Sequence, residues 1–338
     1  MQVFDLTWIE SIRRRYGRLP RYERPIIYSI AVDEEYQDLR TEIESWVGHL
    51  PIAAKDKVIP KLHSSENFQQ TYNELAVGHT IRQLGFKPEY EKPIDGFTPD
   101  WFVHPRDGAP AFVVEAFTSN PPQGRVANLR RLNHLLGRLY EIPVGVALSV
   151  RANEVSEIPD QRESKKIKKA VERWLMAGSP AIGDRAKFGG FTFEVIHKNA
   201  NYKHVFSMVP AGLLKTNTFW VDGNLLKQGI EEKVNKYSFL GRAGTPLTVG
   251  VVADFYTGLG RDDLDGALFG DEAVQLVMER TTGNIIESRL TRRANGLFAR
   301  TGSALSAVLW VSRESGNWKS EAVHNPNALN PLPDTAFT

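Results

Sequence analysis

The chain of 338 residues contains no cysteine, which excludes disulfide bonds, thiol catalysis and metal sites with cysteine ligands. The absence fits a reducing compartment, and the N-terminal stretch lacks the apolar core of a signal peptide, so we expect a cytoplasmic protein. No apolar run approaches the roughly 18 residues that a membrane-spanning helix needs. A membrane is therefore not among the expected partners.

An excess of one charge sign is also missing, because 42 Lys and Arg against 40 Asp and Glu leave a formal net charge of +2. Any surface for nucleic acid must therefore come from local clusters of basic residues. The composition, 41% hydrophobic and 24% charged, is that of an ordinary globular protein. The length favours two domains or one large one, without internal repeats.

The stretch from Thr98 to Phe117 predicts a β-hairpin in which two acidic residues face each other. Two short apolar strands flank the dipeptide Asp107-Gly108, which favours a tight type I′ turn. With the turn at that dipeptide, Asp100 lies opposite Glu115, with Cβ atoms roughly 5 Å apart and like charges that repel. We expect either a bound divalent cation or a proton shared by the pair. The alternative is a different register with two solvated carboxylates.

Helices and strands alternate around this hairpin, which predicts an α/β fold. Phe68 to Leu84 has the apolar spacing of a helix that ends at Gly85, and Pro143 to Val150 is an apolar stretch typical of an interior strand. The predicted parts are an N-terminal helical arm at 1–65, a core at 66–150, and a C-terminal α/β region at 151–338 that can pack on the same sheet.

Two predicted helices, Arg125 to Tyr140 and Ser164 to Met176, carry basic faces. Such a face suits the phosphates of a nucleic acid, but a run of lysines is also ordinary for a solvated helix. The candidate nucleic-acid-binding residues are Arg130, His134, Arg138, Lys165 and Lys169.

The order of the acidic residues resembles the PD-(D/E)xK nuclease superfamily, which places a helix glutamate before a Pro-Asp strand start and a second acid fourteen to sixteen positions later. The matching residues are Glu74, Pro99-Asp100 and Val114-Glu115. The resemblance implies a restriction-endonuclease-like mixed sheet flanked by helices, with 66–150 as the nuclease core. It also implies that Asp100, Glu115 and Glu74 hold Mg²⁺ or Mn²⁺, ions that suit hard oxygen ligands.

The superfamily's lysine is missing, because Phe117 stands two residues after Glu115. That lysine positions the attacking water or stabilises charge, so cleavage needs a replacement. The nearest candidates in the chain are Thr118, Ser119, Arg125 and Arg130. A predicted helix at Leu225 to Phe239 offers Lys233 and Lys236, and we expect one of them to fold back onto the acidic pair. Ammonium groups well beyond about 8 Å from the pair would exclude this hypothesis.

Nearly the whole chain also resembles a group of uncharacterised bacterial proteins. They combine such a core with a helix containing K-x-x-K-Y, a Pro-led apolar strand and a His-Asn-Pro tail. The matching residues are Lys233, Lys236 and Tyr237, Pro246 to Ala253, and His324 to Pro326. The resemblance implies a shared fold and no particular activity, and the group's common VEA strand indicates that the missing lysine is a trait of the group.

The nuclease resemblance implies a Mg²⁺-dependent, endonuclease-type hydrolase, which we expect in the bacterial cytoplasm, with defence against foreign DNA as a role by analogy. The expected partner is nucleic acid, DNA in preference to RNA, and a homodimer stays open. One alternative, favoured by Phe117, is a nuclease-like fold that binds nucleic acid without cutting it. Another is an interaction module for a protein partner. A carboxylate pair about 5 Å apart also suits a retaining glycosidase, but nothing else in the sequence indicates a sugar cleft.

Overall fold

A computed structural model of the protein describes residues 2–19, 24–106, 110–118, 123–152, 158–198, 204–208, 223–253, 259–279, 285–314 and 317–337. The helices are α1 Leu6–Tyr16, α2 Ile26–Val32, α3 Gln37–Gly48, α4 Ile52–Leu62, α5 Phe68–Gln83, α6 Gln123–Tyr140, α7 Gln161–Gly178, α8 Gly223–Lys236, α9 Phe239–Ala243 and α10 Arg261–Phe269. The strands are β1 Pro88–Tyr90, β2 Trp101–Val103, β3 Phe112–Phe117, β4 Val146–Ala152, β5 Arg185–Phe188, β6 Phe191–Lys198, β7 Phe206–Met208, β8 Leu247–Ala253, β9 Glu272–Met278, β10 Ile285–Arg292, β11 Leu305–Glu314 and β12 Asn317–His324.

The chain divides into two compact units. Unit 1 contains Met1–Trp8, Ile30–Asn120 and Trp220–Thr338, and unit 2 contains Ile9–Ser29 and Pro121–Phe219. Along the sequence, most of unit 2 is thus inserted between β3 and α8.

The boundary predicted at residue 150 does not coincide with this division. The apolar strand at its edge, β4, pairs with β6 and β7 within unit 2, and it does not join the hairpin sheet. Strand β8 lies beside β3 in its place. An apolar strand suits the interior of any sheet, so its composition does not specify its partners.

Unit 1 is built on a six-stranded mixed sheet with the order β1-β2-β3-β8-β11-β12. Strand β3 pairs antiparallel with β2 and parallel with β8, and β11 continues the parallel pairing. Helices α5 and α8 both pack against β3 and β8. The predicted α/β class, a mixed sheet flanked by helices, is confirmed.

The predicted hairpin register is also confirmed. Trp101 pairs with Val114 and Val103 pairs with Phe112, so the next pair in the same register is Asp100 and Glu115. The turn dipeptide Asp107-Gly108 lies outside the described residues.

Close packing of helices onto the sheet fixes the core of unit 1. Each residue of β8 is buried, as expected for an interior strand with helices on both sides. A Cβ added at Gly78 of α5 would lie 2.1 Å from the Trp101 ring, so only glycine lets α5 approach β2 this closely.

Unit 2 contains a four-stranded sheet with the order β5-β6-β4-β7. Helices α6 and α7 pack on it through a buried cluster that includes Leu135, Leu139, Ile167, Val171, Leu148, Val150, Phe191 and Phe193. Helix α7 begins where the side chain of Asp160 accepts the Glu163 N–H at 2.8 Å, an N-cap that satisfies a backbone donor. Within the described residues, no helix is long and apolar enough to cross a membrane.

Candidate functional site

Two hydrogen bonds hold Asp100 and Glu115 side by side at the β2–β3 pair. The Asp100 N–H donates to Oε1 of Glu115 at 3.2 Å, and the Ala116 N–H donates to Oδ2 of Asp100 at 2.7 Å. Glu115 is buried, with 1% of its side chain exposed. A buried carboxylate needs partners, since an unpaired charge away from water is very costly.

Glu74, in the middle of α5, is buried and not solvated as a mid-helix glutamate usually is. Its Oε2 accepts from the Tyr90 hydroxyl at 2.9 Å and its Oε1 accepts from Gln70 Nε2 at 2.9 Å. Its backbone oxygen accepts from Trp101 Nε1 at 2.8 Å. Glu74 is therefore fixed from three sides.

The structure brings Lys233 of α8 onto the acidic pair. Its Nζ lies 2.6 Å from Oε2 of Glu115, and Nζ of Lys236 lies 4.0 Å from Oε1 of the same residue. Both ammonium groups lie within the limit of about 8 Å set from the sequence, so the structure does not contradict the hypothesis of a replacement lysine, which stays a prediction. Of the other candidates, Thr118 accepts a hydrogen bond from Asn73 at 3.4 Å. Ser119 and the side chains of Arg125 and Arg130 lie outside the described part of the chain.

The side chains that α8 and β3 turn towards each other are spaced at nearly equal distances along the two elements. Four helical residues rise about 6 Å and two strand residues about 6.6 Å. Phe117 and Glu115, two apart on β3, therefore meet Gly229 and Lys233, four apart on α8. Phe117 thus packs against the glycine that lets α8 approach β3.

We expect Gly229→Ala to destabilise the protein by about 1–3 kcal/mol, because its Cβ would lie 2.2 Å from the Phe117 ring. The matched control is Gly266→Ala in α10, where nothing lies within 4 Å of an added Cβ. That variant should stabilise by about 0.5–1 kcal/mol, since alanine is the better helix former. Urea unfolding measures both, and a Gly229→Ala variant at least as stable as the wild type would contradict the close contact.

The cluster has more negative than positive charge at its centre. Burial, followed by the charges of Glu115 and Glu74, raises the pKa of Asp100 to about 8. Burial alone would lower the pKa of Lys233, but Glu115 and Asp100 outweigh it and the pKa is raised. Lys233 is therefore a cation at neutral pH, while Asp100 readily holds a proton.

Of the two compensations expected from the sequence, the shared proton fits the raised pKa of Asp100. Oxygen-only donors and surplus negative charge suit Mg²⁺ or Mn²⁺, and Asp100, Glu115 and Glu74 would hold the ion. Among the described residues, no group of three His, Asp or Glu side chains stands ready as a metal cluster. Because Lys233 contacts Glu115, a cation would compete with it for that carboxylate.

Tyr237, directly after α8, is a further buried neighbour of the cluster. Its hydroxyl donates to the Thr98 carbonyl oxygen at 3.1 Å. Burial, and then Glu115, raises the pKa of the Tyr237 hydroxyl. The tyrosine therefore stays neutral.

Three residues of the site, Gln70, Tyr90 and Gly229, were missed by sequence reasoning. The contact of Gln70 with Glu74 could have been predicted, because Gln70 stands four residues before Glu74 on the same helix face. Tyr90 and Gly229 carried none, since their partners are set only by the folding of the sheet.

The five basic candidates all belong to unit 2. His134 is buried, which does not favour a phosphate contact, and Arg138 pairs with Glu141 at 3.2 Å. Lys165 and Lys169 are exposed on α7. The side chain of Arg130 lies outside what the structure describes.

Comparison of the chain with protein-family models, with curated proteins and with solved structures finds no match.

Proposed function

We propose that the cluster of Glu74, Asp100, Glu115 and Lys233 hydrolyses phosphodiester bonds of nucleic acid, DNA in preference to RNA, with Mg²⁺ or Mn²⁺ as cofactor. The observation that carries the proposal is the contact between Lys233 and the buried Glu115 at 2.6 Å. Lys233 supplies beside Glu115 the ammonium that β3 itself lacks, because the strand has Phe117 two residues after Glu115. Three carboxylates and one lysine are the groups that the nuclease resemblance requires.

Each group has a definite task in this proposal. The divalent ion, when bound, polarises a phosphoryl oxygen and lowers the pKa of water. Asp100, directly before β2, and Glu115 of β3 would hold the ion, and the Tyr90 hydroxyl orients Glu74 for the same task. Lys233 donates to a phosphate oxygen as negative charge develops there, an electrostatic contribution typical of such sites.

Helix α7 of unit 2 supports a nucleic-acid partner. Along it, four exposed cations recur at intervals of three or four residues, so they follow one face. They are Arg162, Lys165, Lys169 and Arg173. We propose that this face contacts phosphates, that the nuclease acts in the cytoplasm, and that defence against foreign DNA is its role by analogy.

The deciding experiment measures cleavage of DNA and RNA with Mg²⁺ or Mn²⁺ by the wild type, Asp100→Ala and Glu115→Ala. Metal-dependent turnover that disappears in both variants is the expected result. Glu89→Gln is the control, because Glu89 is an exposed carboxylate on β1 of the same sheet, and it should cut like the wild type. Equal turnover in all four proteins would point to a contaminating nuclease and overturn the proposal.

The second candidate is a nuclease-like fold that binds nucleic acid without cutting it. The presence of Phe117 at the usual lysine position favours it, and so does the finding that no group of three acidic or His side chains in the described residues is arranged to hold a metal ion. Salt-dependent binding of DNA with no turnover under either metal would establish this function. A lack of binding to any nucleic acid at low salt would point instead to a protein partner.

A further inference from the structure

Strands β9 and β10 form a two-stranded antiparallel sheet that is separate from the main sheet of unit 1. Every residue of the two strands except Ala273 is exposed. An isolated hairpin is marginally stable in water at best, because it has nothing against which to bury its apolar side chains. The feature therefore calls for a partner that covers it.

One face of the hairpin is more apolar than the other. Cross-strand partners point to the same side, so the pairs Val274–Leu290 and Met278–Ile285 share a face with Leu276. The opposite face carries the pairs Gln275–Arg289, Ala273–Thr291 and Val277–Glu287. We define the hairpin apolar face by Val274, Leu276, Met278, Ile285 and Leu290, which are between 47% and 70% exposed.

Polar contacts anchor the base of the hairpin to unit 1. Arg292 donates to the Gly270 carbonyl oxygen at 3.1 Å, and the Arg293 N–H donates to the Asp271 carbonyl oxygen at 2.9 Å. The Asn295 side chain donates to Asp271 at 2.8 Å. These contacts fix the position of the base of the hairpin, and with it the orientation of the hairpin apolar face there.

We propose that a second copy of this chain covers the hairpin apolar face, in a two-fold symmetric dimer. In such an interface both subunits use the same surface patch, so an unpaired charge on the patch would lie near the same charge of the second copy. The charged residues on this face, Glu272 and Arg292, pair with each other at 3.3 Å within one copy. Two copies can therefore bring the described parts of this face together without burying an unpaired charge.

Charge and area favour a second copy over a nucleic acid or an anionic membrane. The segment 271–293 balances four acids, Asp271, Glu272, Glu279 and Glu287, against four arginines, Arg280, Arg289, Arg292 and Arg293, so it has no net attraction for phosphates. The five apolar side chains expose roughly 500 Å² in each copy, and a symmetric pair would bury about 1,000 Å², the lower bound for a specific interface.

The test is the mass of the full chain by light scattering after size exclusion, over about 1–100 μM, without metal or nucleic acid. The wild type is expected at twice 38.0 kDa. Leu290→Glu should weaken the dimer at least ~100-fold, because it places like charges against each other. Thr291→Glu, on the opposite face of the same strand, should leave it intact.

A charge swap identifies the occupant. A mixture of Leu290→Glu and Leu290→Lys should regain the dimer that each variant alone has lost, which only a second copy explains. A wild type that is monomeric at 100 μM would overturn the proposal, and so would equal dissociation of the Leu290→Glu and Thr291→Glu variants. A monomer that floats with phosphatidylcholine vesicles would replace the second copy by a lipid surface. None of these outcomes depends on cleavage, so the dimer and the nuclease are tested separately.

Discussion

Lys233→Met is expected to lower the proposed cleavage of nucleic acid by about 10²–10³-fold and to cost about 3 kcal/mol of unfolding free energy at pH 7. The ammonium is the cation nearest to Glu115, whose side chain is 1% exposed. Removing it leaves a buried carboxylate without its charged partner, and such losses are much larger than those at the surface. Single-turnover cleavage and urea unfolding measure the two effects.

Lys236→Met is the matched control, because the Lys236 side chain is 50% exposed and its Nζ lies 4.0 Å from Glu115. We expect a loss below about 1 kcal/mol, as for exposed ion pairs. The double variant Lys233→Met/Glu115→Gln should recover most of the lost stability and none of the activity. If Lys236→Met abolishes cleavage and Lys233→Met does not, the catalytic lysine has been assigned to the wrong residue.

The acidic pair was predictable because local rules determine it. A turn dipeptide sets the register, and alternation along a strand sets the face. These two rules were sufficient to predict that Asp100 lies beside Glu115, as the structure has it. The buried carboxylate of Glu115 needs a compensating proton or cation, and in the structure Lys233 supplies the cation.

The division into units could not be predicted in the same way. Strand β4 has the composition of an interior strand, and such strands carry no mark of which sheet they join. The return of the chain at α8 depends on Gly229 and Phe117, whose contact spans more than a hundred residues. Such long-range packing depends on how the shapes of two distant side chains fit together, and the hydrophobic periodicity of the sequence gives no information on it.

The stability of the metal-free protein is expected to fall as pH rises from about 4 to about 8. The pKa of Asp100 rises from 3.8 in its ordinary state to about 8 in the folded protein, through burial and the neighbouring charges of Glu115 and Glu74. Between these values the folded state holds a proton that the unfolded state has released. The free energy of unfolding therefore falls by up to about 1.4 kcal/mol for each pH unit, and the contribution present below pH 4 is lost by pH 8.

Asp100→Asn removes this dependence, because the amide stays neutral at every pH in the window. In the absence of divalent cations the variant should exceed the wild type by about 2 kcal/mol or more at pH 8, and the two should converge towards pH 4. Asp95→Asn, the same change at an exposed residue, should follow the wild type throughout. Mg²⁺ at pH 8 should then stabilise the wild type and leave Asp100→Asn unchanged, because a ligand stabilises only a state that binds it. Parallel pH profiles for the wild type and Asp100→Asn would show that the pKa of Asp100 is not raised in the folded protein. The cluster would then have no surplus of negative charge to raise it, which would contradict the arrangement described above.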